Sequence, residues 1–249
     1  MGCHDLPAFP QKARKGSRKM LRIWLPEAWR MGSAARVMDE ESRRPLKSRS
    51  TAWAAALSGW LARRGVAPNA ISAASLVFAL VSGAAFAATA SPVFQNALVP
   101  LWLAAAAGIQ LRLLCNLMDG MVAVEGGRKS SGGELWNELP DRLADLAILV
   151  GAGFAGGSAL LGAVAACGAV GTAYLRAFGA SLTGRQDFRG PMAKPQRMAV
   201  LTVAAIAAAC APVAGVSGSL IMHLTLWIVV AGIVVTCFRR ITRLARALG

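Results

Sequence analysis

The chain has little of what most soluble enzymes use for chemistry: two histidines, one tyrosine and twelve acids among 249 residues. His4 and His223 lie at opposite ends, so neither a histidine metal cluster nor a nucleophile–histidine–acid relay is supplied. The five cysteines, Cys3, Cys115, Cys167, Cys210 and Cys237, are scattered, and four of them fall in apolar runs. They form no CxxC or Cys/His spacing, which excludes a zinc module and leaves buried free thiols. No apolar run follows the first basic residues, so a cleavable signal peptide is not expected. The opening MGCHDL lacks the Ser or Thr that a myristoylation signal carries at its sixth position.

Apolar residues are what the chain does have. They make up 55% of it, and the mean hydropathy is +0.50. Disorder is excluded and a soluble domain disfavoured. The net charge of +15 would suit nucleic acid if it formed one continuous basic stripe. Instead 14 of the 27 Lys and Arg precede residue 69, two are Arg128 and Lys129, four lie at 185–197 and four at 239–246. Clusters separated by apolar runs are the pattern of positive-inside membrane topology, and they argue against a nucleic-acid partner.

Residues 1–49 read as a basic, loosely ordered cytoplasmic tail drawn to anionic lipid, and residues 50–249 as the membrane domain. The stretch 50–64 spaces Trp53, Leu57, Trp60 and Leu61 along one helical face and ends in Arg63 and Arg64, which predicts a helix lying in the interface. Pro68 and Asn69 then suit the start of a first span. Six apolar segments follow, near 70–90, 97–124, 135–155, 158–181, 197–214 and 219–238. Each approaches the roughly 20 residues a spanning helix needs. Connectors 91–96, 156–157 and 215–218 carry no Lys or Arg, whereas 125–134, 182–196 and both tails do. The expectation is therefore an all-α polytopic bundle, six transmembrane helices after an interfacial amphipathic helix, with both termini cytoplasmic.

The scarce acids gather at 116–145, NLMDGMVAVEGGRKSSGGELWNELPDRLAD. A carboxylate near the bilayer centre costs about 2.5–3.5 kcal/mol even on lenient insertion scales, so it faces a cavity, a partner or an ion. At about 100° per residue, Glu134, Asn137, Glu138, Asp141 and Asp145 share an arc of about 100° on the third segment. Asn116 and Asp119, three apart, form a similar face at the end of the second. Oxygen ligands on two helices joined by a Gly-rich turn suit a hard cation such as Mg²⁺ or Mn²⁺. Gly120, Ala123 and Gly133 are small where a ligand would need room. Glu134 and Glu138 also fit ordinary cap and surface acids.

The string Asn116-x2-Asp119-Gly120-x2-Ala123-Val124-x8-Gly133-x3-Asn137-x3-Asp141 resembles the signature of the CDP-alcohol phosphotransferase family, D-x2-D-G-x2-A-R-x8-G-x3-D-x3-D. Every spacing holds, and the likeness runs over roughly residues 50–240. The first and third aspartates are Asn116 and Asn137, and the arginine is Val124; Asp145 is an added acid one turn beyond Asp141. The resemblance implies a transferase of phospholipid biosynthesis in the bacterial inner membrane. It would move a phosphatidyl group from a CDP-linked donor, CDP-diacylglycerol first, to a small alcohol or alcohol-phosphate acceptor, and release CMP. It also implies Mg²⁺ or Mn²⁺ held by Asn116, Asp119, Asn137 and Asp141, with Asp141, or Asp145, as the base, and a homodimer as commonly found in the family.

Basic residues supply a second constellation. Arg176 sits in the fourth apolar segment, and the loop 185–197 adds Arg185, Arg189, Lys194 and Arg197. Guanidinium forks and an ammonium suit phosphate. In the family, basic residues of this region bind the acceptor phosphate or another anion, which puts Arg176, Lys194 and Arg197 forward. Arg112 and Arg142 read as partners for the acids. Two other readings remain: a catalytically inactive relative serving as a membrane interaction protein, and an ion-coupled transporter. Against the transporter stand the gathering of acids at one membrane face and the lack of an inverted repeat.

Overall fold

In the computed structural model the described residues are 51–125 and 133–248, without the side chains at 124–125 and 133–137. The expected basic tail, the 126–132 turn and the side chains of Glu134 and Asn137 fall outside them. The described residues belong to one compact unit, residues 46–249.

They form seven α-helices: α1 (Ala52–Arg63), α2 (Pro68–Ala88), α3 (Leu98–Glu125), α4 (Gly133–Ala155), α5 (Ala159–Thr183), α6 (Lys194–Cys210) and α7 (Gly218–Leu248). Their ends follow local chemistry. After α1, Gly65 takes φ 73°, its N–H donates to the Ala62 carbonyl and the Val66 N–H to the Leu61 carbonyl. This pair of hydrogen bonds around a left-handed glycine is a Schellman stop. α2 opens with Pro68 in the first turn, where the missing N–H costs nothing. The α4–α5 turn repeats the glycine stop at Gly157, and Ser158 then caps α5 by accepting from the Leu161 N–H.

Five segments are long and apolar enough to cross a membrane: Pro68–Ala88, Pro92–Ala123, Ala159–Thr183, Lys194–Ala214 and Gly218–Leu248. α4 differs because acids and Arg142 occupy its first half, and only from Leu146 onward is it uniformly apolar. Two bounds depart from expectation. α6 starts at Lys194 rather than 197, and α7 continues through its basic end to Leu248 instead of stopping at 238. Outward-facing Leu160, Val203, Val213, Trp227 and Phe238 are well exposed. An apolar exterior is the surface of a multi-pass membrane protein, not of a soluble one.

α4 packs against α2, α5 and α7, while α3 packs against α1, α2 and α6. Glycine permits the two tightest crossings. A Cβ at Gly151 of α4 would land on the Gly83 backbone of α2, and one at Gly162 of α5 would lie 2.6 Å from Gly153 Cα of α4. With no hydrophobic drive between helices in lipid, such backbone approach and the dispersion it brings hold the bundle. Phe86 and Trp102 add an edge-to-face pair at 5.9 Å. Since α2 to α6 alternate in direction, the starts of α2, α4 and α6 meet the ends of α3 and α5. Nearly every buried charge lies at that end.

Candidate functional site

α2 contributes the floor. Ser72 and Ser75 are buried one turn apart; Ser72 Oγ donates to Asp119 Oδ2 at 2.8 Å and Ser75 Oγ to Asn116 Oδ1 at 2.7 Å. Both acceptors sit on α3, three residues apart on one face. The Asn116 amide then donates from Nδ2 to Asp141 Oδ1 at 2.9 Å. Its orientation follows from its neighbours, because a carboxylate only accepts and would repel the amide oxygen. Asp119, 7% exposed, has no ion pair among the described residues.

Asp141 on α4 receives a further donor, this one cationic, as Lys194 Nζ of α6 donates to its Oδ2. The side chains of Lys194 and Asp141 keep 23% and 21% of their surface exposed, so this pair borders open space. One turn deeper the picture changes. Asp145 is 1% exposed, with Oδ1 taken by Arg112 Nη2 and Oδ2 by Arg197 Nη2, each at 2.7 Å. Arg112 also reaches the Asp141 carbonyl at 3.3 Å, and Arg197 Nη1 reaches the Met192 carbonyl at 3.1 Å. Three helices are thereby clamped through one buried carboxylate.

At the rim, Glu138 of α4 pairs with both Arg142 and Arg176. Arg176 also donates to Gln186 at 3.4 Å and lies 5.5 Å from the Phe188 ring centroid. α7 pins this loop: Thr236 Oγ1 accepts from the Met192 N–H at 3.0 Å, and Arg240 Nε donates to the Arg189 carbonyl at 3.2 Å. Arg185 and Arg189 themselves are exposed.

The fold brings together Asn116, Asp119, Asp141, Asp145, Lys194 and Arg197, with Arg176 at the edge. Gly120 and Ala123 continue the same helix beyond Asp119 and are half-buried. Gly133 opens α4. Arg197 directs Nη1 to the Met192 carbonyl and Nη2 to Asp145, and Asn116 turns its oxygen to Ser75 and its amide N–H to Asp141. Sequence reasoning missed Ser72 and Ser75; polar residues at i and i+3 in an apolar span were the available signal.

The resemblance implies a divalent centre at Asn116, Asp119, Asn137 and Asp141. Asp145 is closed, Asn116 presents a donor, and Asp141 is already neutralised by Lys194. No three acid, His or Cys side chains among the described residues converge as a metal-holding group. Asn116, Asp119 and Asp141 alone, without the Asn137 side chain that lies outside the described residues, do not make up such a centre.

By sequence, no family model and no curated protein matches the chain. By structure it is similar to Mycobacterium tuberculosis phosphatidylinositol phosphate synthase (PgsA1) with CDP-DAG bound. The TM-score is 0.55 at 19% identity, covering 77% of this chain and 92% of that one. The same synthase in complex with manganese and citrate aligns at TM-score 0.55 and 18% identity, covering 77% and 88%. At these identities the likeness establishes a shared fold.

Proposed function

We propose that the chain is a membrane transferase that moves a phosphatidyl group from a CDP-linked lipid, CDP-diacylglycerol first, to an alcohol acceptor and releases CMP. The observation that carries this reading is the partly exposed pair of Asp141 on α4, the last acid of the family signature, and Lys194 on α6. The synthase that shares the fold has CDP-DAG bound. An intramembrane cluster at the bundle end, beside the exposed Trp53 and Trp60 of α1, also suits a lipid-tailed donor. Six spans, with α4 as the polar one and α1 lying in the interface, would turn this basic end and both termini to the cytoplasm.

In the reaction the acceptor oxygen attacks the lipid-bearing β-phosphorus, the P–O–P bond breaks, and CMP departs with the electron pair. Asp141, freed of Lys194, takes the hydroxyl proton, for which it must come within about 2.6–3.2 Å of that oxygen. Lys194 turns to the phosphate and neutralises charge there. Asp119 and Asn116, braced by Ser72 and Ser75, keep the acceptor side polar. Asp145 serves as a clamp rather than a base, since two guanidiniums occupy both its oxygens. Arg176, at the rim, is the cation offered to an acceptor phosphate, which would compete with Glu138 for it.

The test is CMP release by the purified chain in bilayers, given CDP-diacylglycerol and a pool of glycerol phosphate, inositol phosphate and amino alcohols. Acceptor-dependent CMP release supports the transferase. Tight binding of the CDP-lipid without release favours the inactive relative, the reading that the two asparagines in the signature keep open.

A further inference from the structure

α6 begins at Lys194 without a side-chain cap: Ala193 stands at the N-cap, and Pro195 in the first turn brings no N–H. The place of Lys194 is set instead by the residue two before it. The buried Met192 peptide is held on both sides. Its N–H donates to Thr236 Oγ1 of α7 at 3.0 Å, and its carbonyl accepts from Arg197 Nη1 at 3.1 Å. Thr236 is fully buried, and its own hydroxyl hydrogen goes to the Gly232 carbonyl at 2.7 Å, which leaves the oxygen's lone pairs for the loop. The loop lies directly on this face of α7. Gly190 takes φ 148°, and a Cβ there would land on Thr236 Cγ2, while one at Gly232 would lie 2.7 Å from Met192 Cε. One turn further along α7, Arg240 Nε holds the Arg189 carbonyl at 3.2 Å.

We infer that Thr236 is a positioning residue of the transferase site: it fixes the peptide that carries Lys194, and so sets where the Lys194 ammonium meets Asp141 and the donor phosphate. The inference rests on the reaction proposed above and deepens it. Arg197 fixes the other side of that peptide and is itself locked to Asp145. The deep clamp and the α7 hydroxyl converge on one peptide, two residues before the partly exposed ammonium. Lysine carries its charge on a flexible four-carbon stem, so its aim is poor unless the backbone beneath it is held. Thr236, being fully buried, acts through that backbone rather than on substrate. A side chain of the same shape without the hydroxyl would leave the Met192 N–H buried and unanswered.

The experiment compares the full chain with Thr236→Val, which keeps the shape and loses the hydroxyl, and Thr236→Ser, which keeps the hydroxyl. In bilayers without substrate, the rate at which an amine-acylating reagent labels Lys194 is followed by mass spectrometry. In the same bilayers, kcat and the KM for CDP-diacylglycerol are measured from CMP release with the acceptor pool held constant. Thr236→Val should label Lys194 about twofold to tenfold faster, the shift that one net hydrogen bond makes in an equilibrium. Its KM for CDP-diacylglycerol should rise by a similar factor, and Thr236→Ser should return both to near the wild-type values. A merely structural role would lower the melting temperature and kcat through loss of active protein, leaving KM and the labelling of folded protein unchanged. Should the valine variant not fold, Thr236→Ala carries the same readings. Labelling of Lys194 at the wild-type rate in the folded variant overturns the inference, whatever becomes of CMP release. Wild-type protein that releases no CMP removes the transferase reading, and the labelling still decides whether Thr236 positions Lys194.

Discussion

Asp141 and Asp145 lie one turn apart on the same helix, yet they sit in opposite environments. Asp145 is sealed between Arg112 and Arg197, with both oxygens bonded at 2.7 Å and 1% of its side chain exposed. Asp141 has 21% exposure, one amide donor, a long contact from Arg112 at 3.5 Å and a lysine that is itself partly open. A single helical turn therefore separates a carboxylate that closes the bundle from one that can exchange partners. Burial and partner type divide the work: guanidiniums locked in the interior hold helices, and a partly exposed ammonium can let go.

If the deep carboxylate holds the fold, breaking it should cost the most. Asp145→Asn leaves two buried guanidiniums facing a neutral amide, and removal of one partner from a buried charge cluster costs about 3–5 kcal/mol. The expected outcome is a steep fall in melting temperature, or loss of folded protein, with detergent-solubilised material followed by thermal unfolding. A melting temperature equal to wild type would place the clamp elsewhere.

The α2–α4 crossing comes next, since it sets how deep both acids sit. Gly151→Ala drives a Cβ into the Gly83 backbone, and overpacking of this kind costs about 1–3 kcal/mol. Melting should fall by less than in Asp145→Asn, and CMP release should fall too, because α4 shifts as a body. Unchanged stability would show that the helices can part without strain.

The smallest change sharpens the open side. Ser75→Ala removes the donor that holds the Asn116 oxygen, a bond worth about 0.5–1.5 kcal/mol net. Stability should drop slightly, and CMP release should drop modestly while affinity for the CDP-lipid stays close to wild type. Loss of ligand affinity with turnover intact would instead make Ser75 part of the binding surface.

How far the sequence foretells this arrangement depends on the distance over which each contact is made. Asp119 and Asp141 were legible because the 3.6-residue period puts Asn116 and Asp119 on one face and Glu138, Asp141 and Asp145 on another, whatever surrounds them. The apolar segments were legible for the same reason, by length and composition. The division of labour between Asp141 and Asp145 was not. It depends on Arg112, 33 residues before Asp145, and on Arg197, 52 residues after it. Ser72 reaches Asp119 across 47 residues, and Lys194 reaches Asp141 across 53. Which of several basic residues meets which acid is decided by how α3, α4 and α6 pack. The glycine crossings that govern that packing read, in one dimension, only as small residues in apolar helices.

In the proposed transferase, chemistry belongs to the open carboxylate and not to the closed one. CMP release from CDP-diacylglycerol with pooled acceptors, measured for wild type and Asp141→Asn beside their melting curves, decides between the two acids. Asp141→Asn is expected to keep a near-native melting temperature and to lose release by about 10²–10⁴-fold, the usual contribution of a positioned base. Release at the wild-type rate from a folded Asp141→Asn protein would take the base away from Asp141.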